Sequence, residues 1–302
     1  MPVLHAIHRR EEPWRLPFAT RTLVHLVSGK NLTPPEGGWT ASSFASQGSQ
    51  LVRVMHRLAQ LTQRKAIPHV AATAKKIMRH QLQRVIERAT GRAPAKAIEI
   101  LLPQHATLWL QALDDVFNEA GIEATLELMP SIQSVMGRAY STTNILLAQD
   151  GDVVGTQQLA RESREIAQRI TQINATTRKQ FEAAIRNAID EGLTVTETAR
   201  KLVNELPQMA GSRIQTIART EMNNAYTKGS VVSFQQSKTI TFVSVVGCES
   251  REYDRWLSPS YQPFMYHGQS TCNIQDVPVI DADKLHFHPN HTGTMVPSRF
   301  RE

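Results

Sequence analysis

Apolar positions three and four residues apart dominate the middle of this chain, and they predict helices. In LVRVMHRLAQLTQRKA, Val54, Leu58 and Leu61 recur at helical spacing, while Arg53, Arg57 and Arg64 share a second face. Pro68 is expected to interrupt, because an interior proline removes a helix hydrogen bond and crowds the preceding turn. A second basic helix then runs through AATAKKIMRHQLQRVIERATG, with Gly91 as its C-cap. Further helices are expected over 104–119, over 121–148 with a break near Pro130, and over 157–172. INATTRKQFEAAIRNAIDEG reads as another, N-capped by Asn174 or Thr176 and closed by Gly192. Thr194 and Glu197 have the spacing of a capping box, so 174–206 is expected to be a helical hairpin.

The two ends of the chain are patterned differently. Residues 1–48 lack a sustained period, and EEPWRLPF and TPPEGGWTASSFASQGSQ are rich in proline, glycine and serine. Such composition buries little apolar surface and predicts an extended arm or linker. Its aromatics, Trp14, Phe18 and Trp39, either anchor that arm to a partner or pack on the chain's own domain. Towards the other end, GSRIQTIARTEMNNAYTKGSVVSFQQS reads as a helix and β-branched TITFVSVVG as a strand. The polar CESREYDRW, a long irregular stretch and HFHPNHTGTMVP follow. The expected fold is mainly α with a small C-terminal α+β module and an extended N-terminal arm. Its expected parts are the arm at 1–48, a helical region with basic leading helices at 49–206, and the module at 207–302.

Charge adds to this picture because it is uneven. The net charge is +7, yet residues 1–100 hold 16 Lys/Arg against 5 Asp/Glu. Residues 51–92 carry ten basic side chains and one acid, Glu87. Arg53, Arg57, Arg64, Lys65, Lys75, Lys76, Arg79, Arg84 and Arg88 are therefore candidates for contact with nucleic acid or an acidic protein. The plainer alternative is a solubilising face. No apolar run approaches the roughly 18–20 residues of a membrane span, so no membrane partner is expected. MPVLHAIHRREEPW lacks the pattern of a secretory signal, and two cysteines make no disulfide framework, so cytoplasmic production is expected.

Candidate chemistry gathers in the last third. Ile214, Ile217, Ala218 and Ala225 make an apolar stripe, and Glu221 falls inside it. A buried carboxylate must be paired or hydrogen-bonded, so Glu221 is expected to meet a partner, with Arg251 or His288 as candidates. Three histidines fall within residues 286–291. One reading groups Cys248, Cys272, His286, His288 and His291 as ligands of Zn²⁺, although neither cysteine sits in a C-x-x-C pair. A second makes the cluster a metal-dependent nuclease or hydrolase centre, but the spacing matches no nuclease signature. The third is structural: Pro289 holds His288 extended, Asn290 suits a turn and Gly293 permits close backbone approach. The structural reading is preferred, with no catalytic residue and no cofactor expected.

The residues IARTEMNNAYTKG, the strand after them, the polar cluster and the closing HPN together resemble the phage Mu F-like family of minor head (head morphogenesis) proteins. Ala218, Arg219, Thr220 and Glu221 match that family's helix motif, with Ala225 and Gly229 at its later positions. Glu249 and Arg251 look like its acidic-x-Arg turn, with Glu in place of Asp. His288, Pro289 and Asn290 match the closing motif, which Pro297 ends. The two cysteines usual in that motif are here His291 and Gly293, and the cysteine that often follows the turn is absent. The likeness covers about the last 95 residues and leaves out the basic front half.

The resemblance implies a structural network of Arg219, Thr220, Glu221, Glu249, Arg251, His288 and Asn290. It implies a structural role in assembly at the portal vertex of a virion head. The portal protein and other head proteins would be partners and a homo-oligomer is allowed; by inference, the basic helices would face packaged genomic DNA or an acidic partner. The competing expectations are the metal-dependent hydrolase and a plain DNA-binding factor. No helix-turn-helix or zinc finger is recognisable to support the latter.

Overall fold

A computed structural model describes residue 35 and residues 38–92, 103–148, 153–247, 265–266, 269–270, 274–285 and 293–301. Some helical stretches, 120–125, 167–177 and 205–213 among them, are described by backbone alone. Among the described residues four long helices come first: α1 (Ala41–Arg92), α2 (Pro103–Leu146), α3 (Val153–Asp190) and α4 (Val195–Gln236). Strands β1 (Ile240–Val246), β2 (Met265–Tyr266), β3 (Gln269–Ser270), β4 (Val277–Pro278) and β5 (Thr294–Phe300) follow, with a 3-10 helix at Val279–Lys284. The chain is mainly helical with a small C-terminal antiparallel sheet, as the hydrophobic pattern predicts. Residues 1–34 of the expected arm lie outside the described residues.

The helices are longer than the pattern suggests. Pro68 and Pro130 both lie inside helices rather than between them. Each proline forfeits a backbone bond, but apolar side chains are buried on both sides of it. Ala59 and Val70 flank Pro68, and Leu128 and Ile132 flank Pro130. Asn174, Thr176 and Gly211 are helix-interior positions, since α3 begins at Val153 and α4 at Val195. Gly91 lies within the last turn of α1, not beyond it. The turn at 191–194 is where the pattern puts it. Gly192 takes φ +68°, the left-handed conformation of a helix C-cap, and the Leu193 amide returns to the Ala188 carbonyl at 3.0 Å. Thr194 and Glu197 then bond reciprocally, the Thr194 amide to Oε2 at 2.9 Å and the Glu197 amide to Oγ1 at 3.2 Å.

The first helix also starts earlier than expected. Ala41–Gly48, read as linker, belong to α1, because Thr40 and Ser43 exchange backbone-to-hydroxyl bonds at 2.9 and 3.3 Å that cap its first turn. Trp39 is fully buried and donates its indole N–H to the Leu146 carbonyl at 2.7 Å. It packs on the chain's own core, so the partner-anchor alternative does not hold for Trp39. Trp14 and Phe18 lie outside the described residues.

Two compact units divide the chain. The first takes Met1–Ile67, Ser131–Arg164 and Arg219–Glu302; the second takes Pro68–Pro130 and Glu165–Ala218. All four helices contribute to both, and the changeovers in α1 and α2 fall at the two prolines. The units therefore cut through the expected 49–206 helical region.

In the first unit, Leu51, Met55 and Leu58 of α1 share a core with Trp39, Leu146, Phe234, Val243, Val245, Met295 and Phe300. The sheet has the order β4-β1-β5, all antiparallel, so β1 is central. Pro297, which ends the closing motif, sits inside β5 opposite Val243. It is tolerated there because β5 is an edge strand, where a missing amide breaks no ladder bond. In the second unit Leu82 and Val85 pack with Trp109, Leu113, Phe117, Phe181 and Leu202.

Candidate functional site

The motif-bearing half of α4 shows why its residue types fall where they do. Ile214, Ala218, Met222 and Ala225 are buried at helical spacing. Glu221 is buried among them at 6% exposure, as a carboxylate inside an apolar stripe should be. Arg219 is exposed and Thr220 half-buried. Arg251 and His288, the expected partners of Glu221, lie outside the described residues, as do Glu249 and Asn290.

Later motif positions have packing reasons of their own. Asn223 is buried and accepts from Gln63 Nε2 of α1 at 2.8 Å. A β-carbon at Gly229 would meet the Met136 carbonyl oxygen and the Ala139 side chain, so only glycine lets α4 and α2 come this close. Lys228, between these, reaches Glu162 of α3 at 2.9 Å and touches the Asp283 carbonyl at 3.5 Å. Glu162 is buried, and Arg161 stands 3.6 Å from its other oxygen. Periodicity alone does not single out Glu162 and Lys228, yet it holds a signal for the carboxylate. Leu159, Glu162, Ser163 and Ile166 all lie on one buried face, so Glu162 interrupts its stripe as Glu221 does.

His56 is a further residue that the sequence does not flag. Its Nδ1 lies 2.9 Å from Thr294 Oγ1 at the start of β5, and its Nε2 lies 2.9 Å from Gln60 Nε2. The Gln60 amide can only donate, so Nε2 accepts and the neutral ring donates from Nδ1 to Thr294. Burial holds the ring's pKa below its ordinary value. Gly247, at φ +81°, ends β1 directly against this imidazole, and a β-carbon there would come within 2.4 Å of it. One histidine of α1 thus braces the end of the central strand and the start of its partner.

The five candidate zinc ligands, Cys248, Cys272, His286, His288 and His291, lie outside the described residues. Among the described residues no three His, Cys, Asp or Glu side chains gather as a metal site.

The nine basic candidates all lie on α1 but are not equivalent. Arg84 and Arg88 converge on Glu119 of α2, and Arg88 Nη2 meets it at 2.7 Å. Hydrogen bonds from Arg88 hold the Glu119 carboxyl below its ordinary value. These two arginines are thus held by an acid within the second unit. Arg53, Arg57, Arg64, Lys65, Lys75, Lys76 and Arg79 are exposed, and none has an ion-pair partner among the described residues.

No protein family, curated protein or solved structure matches this chain.

Proposed function

We propose that this chain is a phage minor head protein with a structural role in assembly at the portal vertex. The observation that carries the reading is the joining of motif and closing segment in one unit. The strand after the A-R-T-E helix is the centre of a sheet whose edge is the segment that follows HPN. Such a module is a compact docking unit, and the portal and neighbouring head proteins are its proposed partners. The virion head is the proposed location.

The test is to find the protein in a particle. Localisation of labelled protein by electron microscopy is expected to give density at one vertex, and even distribution over the shell would overturn the reading. A stoichiometric metal in purified protein, with nuclease activity abolished by His288→Ala, would replace it with the hydrolase.

A further inference from the structure

We propose that Arg53, Arg57 and Arg64 form a contact for the phosphate backbone of duplex nucleic acid. The proposal deepens the head-protein reading, on which it rests only for where the duplex comes from.

The geometry begins with one helix face. Residues 53, 57 and 64 are separated by four and seven positions, so they lie within about 40° of one another around α1. They span about 16 Å of helix at 1.5 Å per residue. The opposite face, with Leu51, Val54, Met55 and Leu58, is buried in the first unit's core, which fixes the arginines outward. Gln60, between them, is exposed and uncharged. The Nε of Arg53 bonds to the Ser49 carbonyl at 3.2 Å, which leaves both terminal nitrogens for a ligand.

The acids absent from this face are as telling as the bases present. Ordinary surfaces intersperse both signs. Here no Asp or Glu occurs between residues 41 and 86. Elsewhere the chain neutralises its arginines in the usual way: Arg186 pairs with Glu182 one turn away, and Arg84 and Arg88 with Glu119. The uncompensated charge on this part of α1 is kept at the cost of mutual repulsion.

The chemistry selects among anionic partners. A protein partner needs a desolvated aromatic or aliphatic anchor, and the exposed large apolar side chains among the described residues are Leu126 and Ile280, neither on this face. An anionic membrane would take an amphipathic helix by its apolar face, which here is sealed in the core. Single strands are held largely by stacking on aromatics, and the nearest aromatic of α1, Phe44, packs against Trp39 and Phe300. Planar guanidinium groups suit phosphate oxygens, and a row of them needs no bases. The partner is a double helix read by its backbone, without sequence preference.

The experiment uses the full chain and the variant Arg53→Gln/Arg57→Gln/Arg64→Gln, with Arg186→Gln/Arg200→Gln/Arg301→Gln, exposed arginines away from this face, as a matched charge control. Binding is measured by fluorescence anisotropy across a salt series. The probes are two unrelated short duplexes, a single strand of the same length, polyglutamate and phosphatidylserine vesicles. Wild type is expected to bind both duplexes alike. The triple variant should bind at least tenfold more weakly, and its salt dependence should become shallower by about 3, roughly 1 for each phosphate no longer neutralised. The control should stay within twofold. Unchanged duplex binding in the triple variant overturns the proposal, as does a loss confined to polyglutamate or vesicles. Thermal unfolding at wild-type temperature confirms that the variant is folded. A protein that binds duplex through this face but is absent from the portal vertex would sink the head-protein reading alone.

Discussion

A β-carbon on Gly229 would lie 2.3 Å from the carbonyl oxygen of Met136. The obstacle is backbone, which cannot rotate aside. Helix propensity alone favours alanine over glycine by about 1 kcal/mol, so it predicts that Gly229→Ala stabilises the protein. Overpacking against a neighbouring helix costs about 1–3 kcal/mol and predicts the reverse. Gly229→Ala is expected to lower the unfolding temperature, and a rise would mean that the two helices do not meet here.

Lys228 and Glu162 form an ion pair in which the carboxylate side chain is 5% exposed and the ammonium side chain 18%. Removing one partner of a buried pair costs about 3–5 kcal/mol, chiefly because a charge is left behind. Lys228→Met is expected near the lower end, since Arg161 stands close enough to compensate in part. Glu162→Leu added to it removes the stranded charge and should restore much of the loss. Denaturant unfolding of the two single variants and the double gives the coupling, and additive losses would show that the pair is not a pair.

His56 provides a pH dependence with a definite sign. Burial holds its folded pKa below the ordinary 6.5, so the unfolded chain binds the proton more readily. Stability is therefore complete above pH 6.5 and declines as pH falls from there towards the folded value. The ring's hydrogen-bond partners, Thr294 and Gln60, are uncharged. Unfolding measured between pH 8 and 5 should show a decline in wild type that His56→Gln flattens. Equal slopes would assign the decline to other groups. The depressed carboxylates of Asp276, Glu119 and Glu182 act at lower pH, where their contributions fade as they protonate.

The resemblance predicts that Glu221 and His288 share one network. Glu221→Ala and His288→Ala, singly and together, should show losses that fall short of additive by more than about 0.5 kcal/mol in thermal or denaturant unfolding. Strict additivity would separate them.

Much of this fold is legible from periodicity, and the errors have a common cause. The capping box at Thr194 and Glu197, the strand at 240–246 and the buried Glu221 follow from local patterns that tertiary structure leaves intact. Pro68 and Pro130 mislead because a local rule meets sites where burial on both sides outweighs one lost hydrogen bond. Trp39 misleads through its neighbours. Its Gly/Ser-rich surroundings read as linker, but its indole is held by Leu146, 107 residues later, which no local window can reveal. The pairing of Arg84 and Arg88 with Glu119 is hidden for the same reason, since Glu119 belongs to another helix.

The division of the chain has a consequence for how it is made. Residues 68–218 contain every segment of the second unit, so on a translating ribosome that unit can be completed first. The other unit waits. Its central strand β1 is synthesised well before β5, and until Thr294–Phe300 emerges one backbone edge of β1 has no strand beside it. An open edge of that kind is a template for pairing with another chain. A stop codon or protease cut that removes β5 would therefore leave a protein prone to aggregate through the open edge of β1.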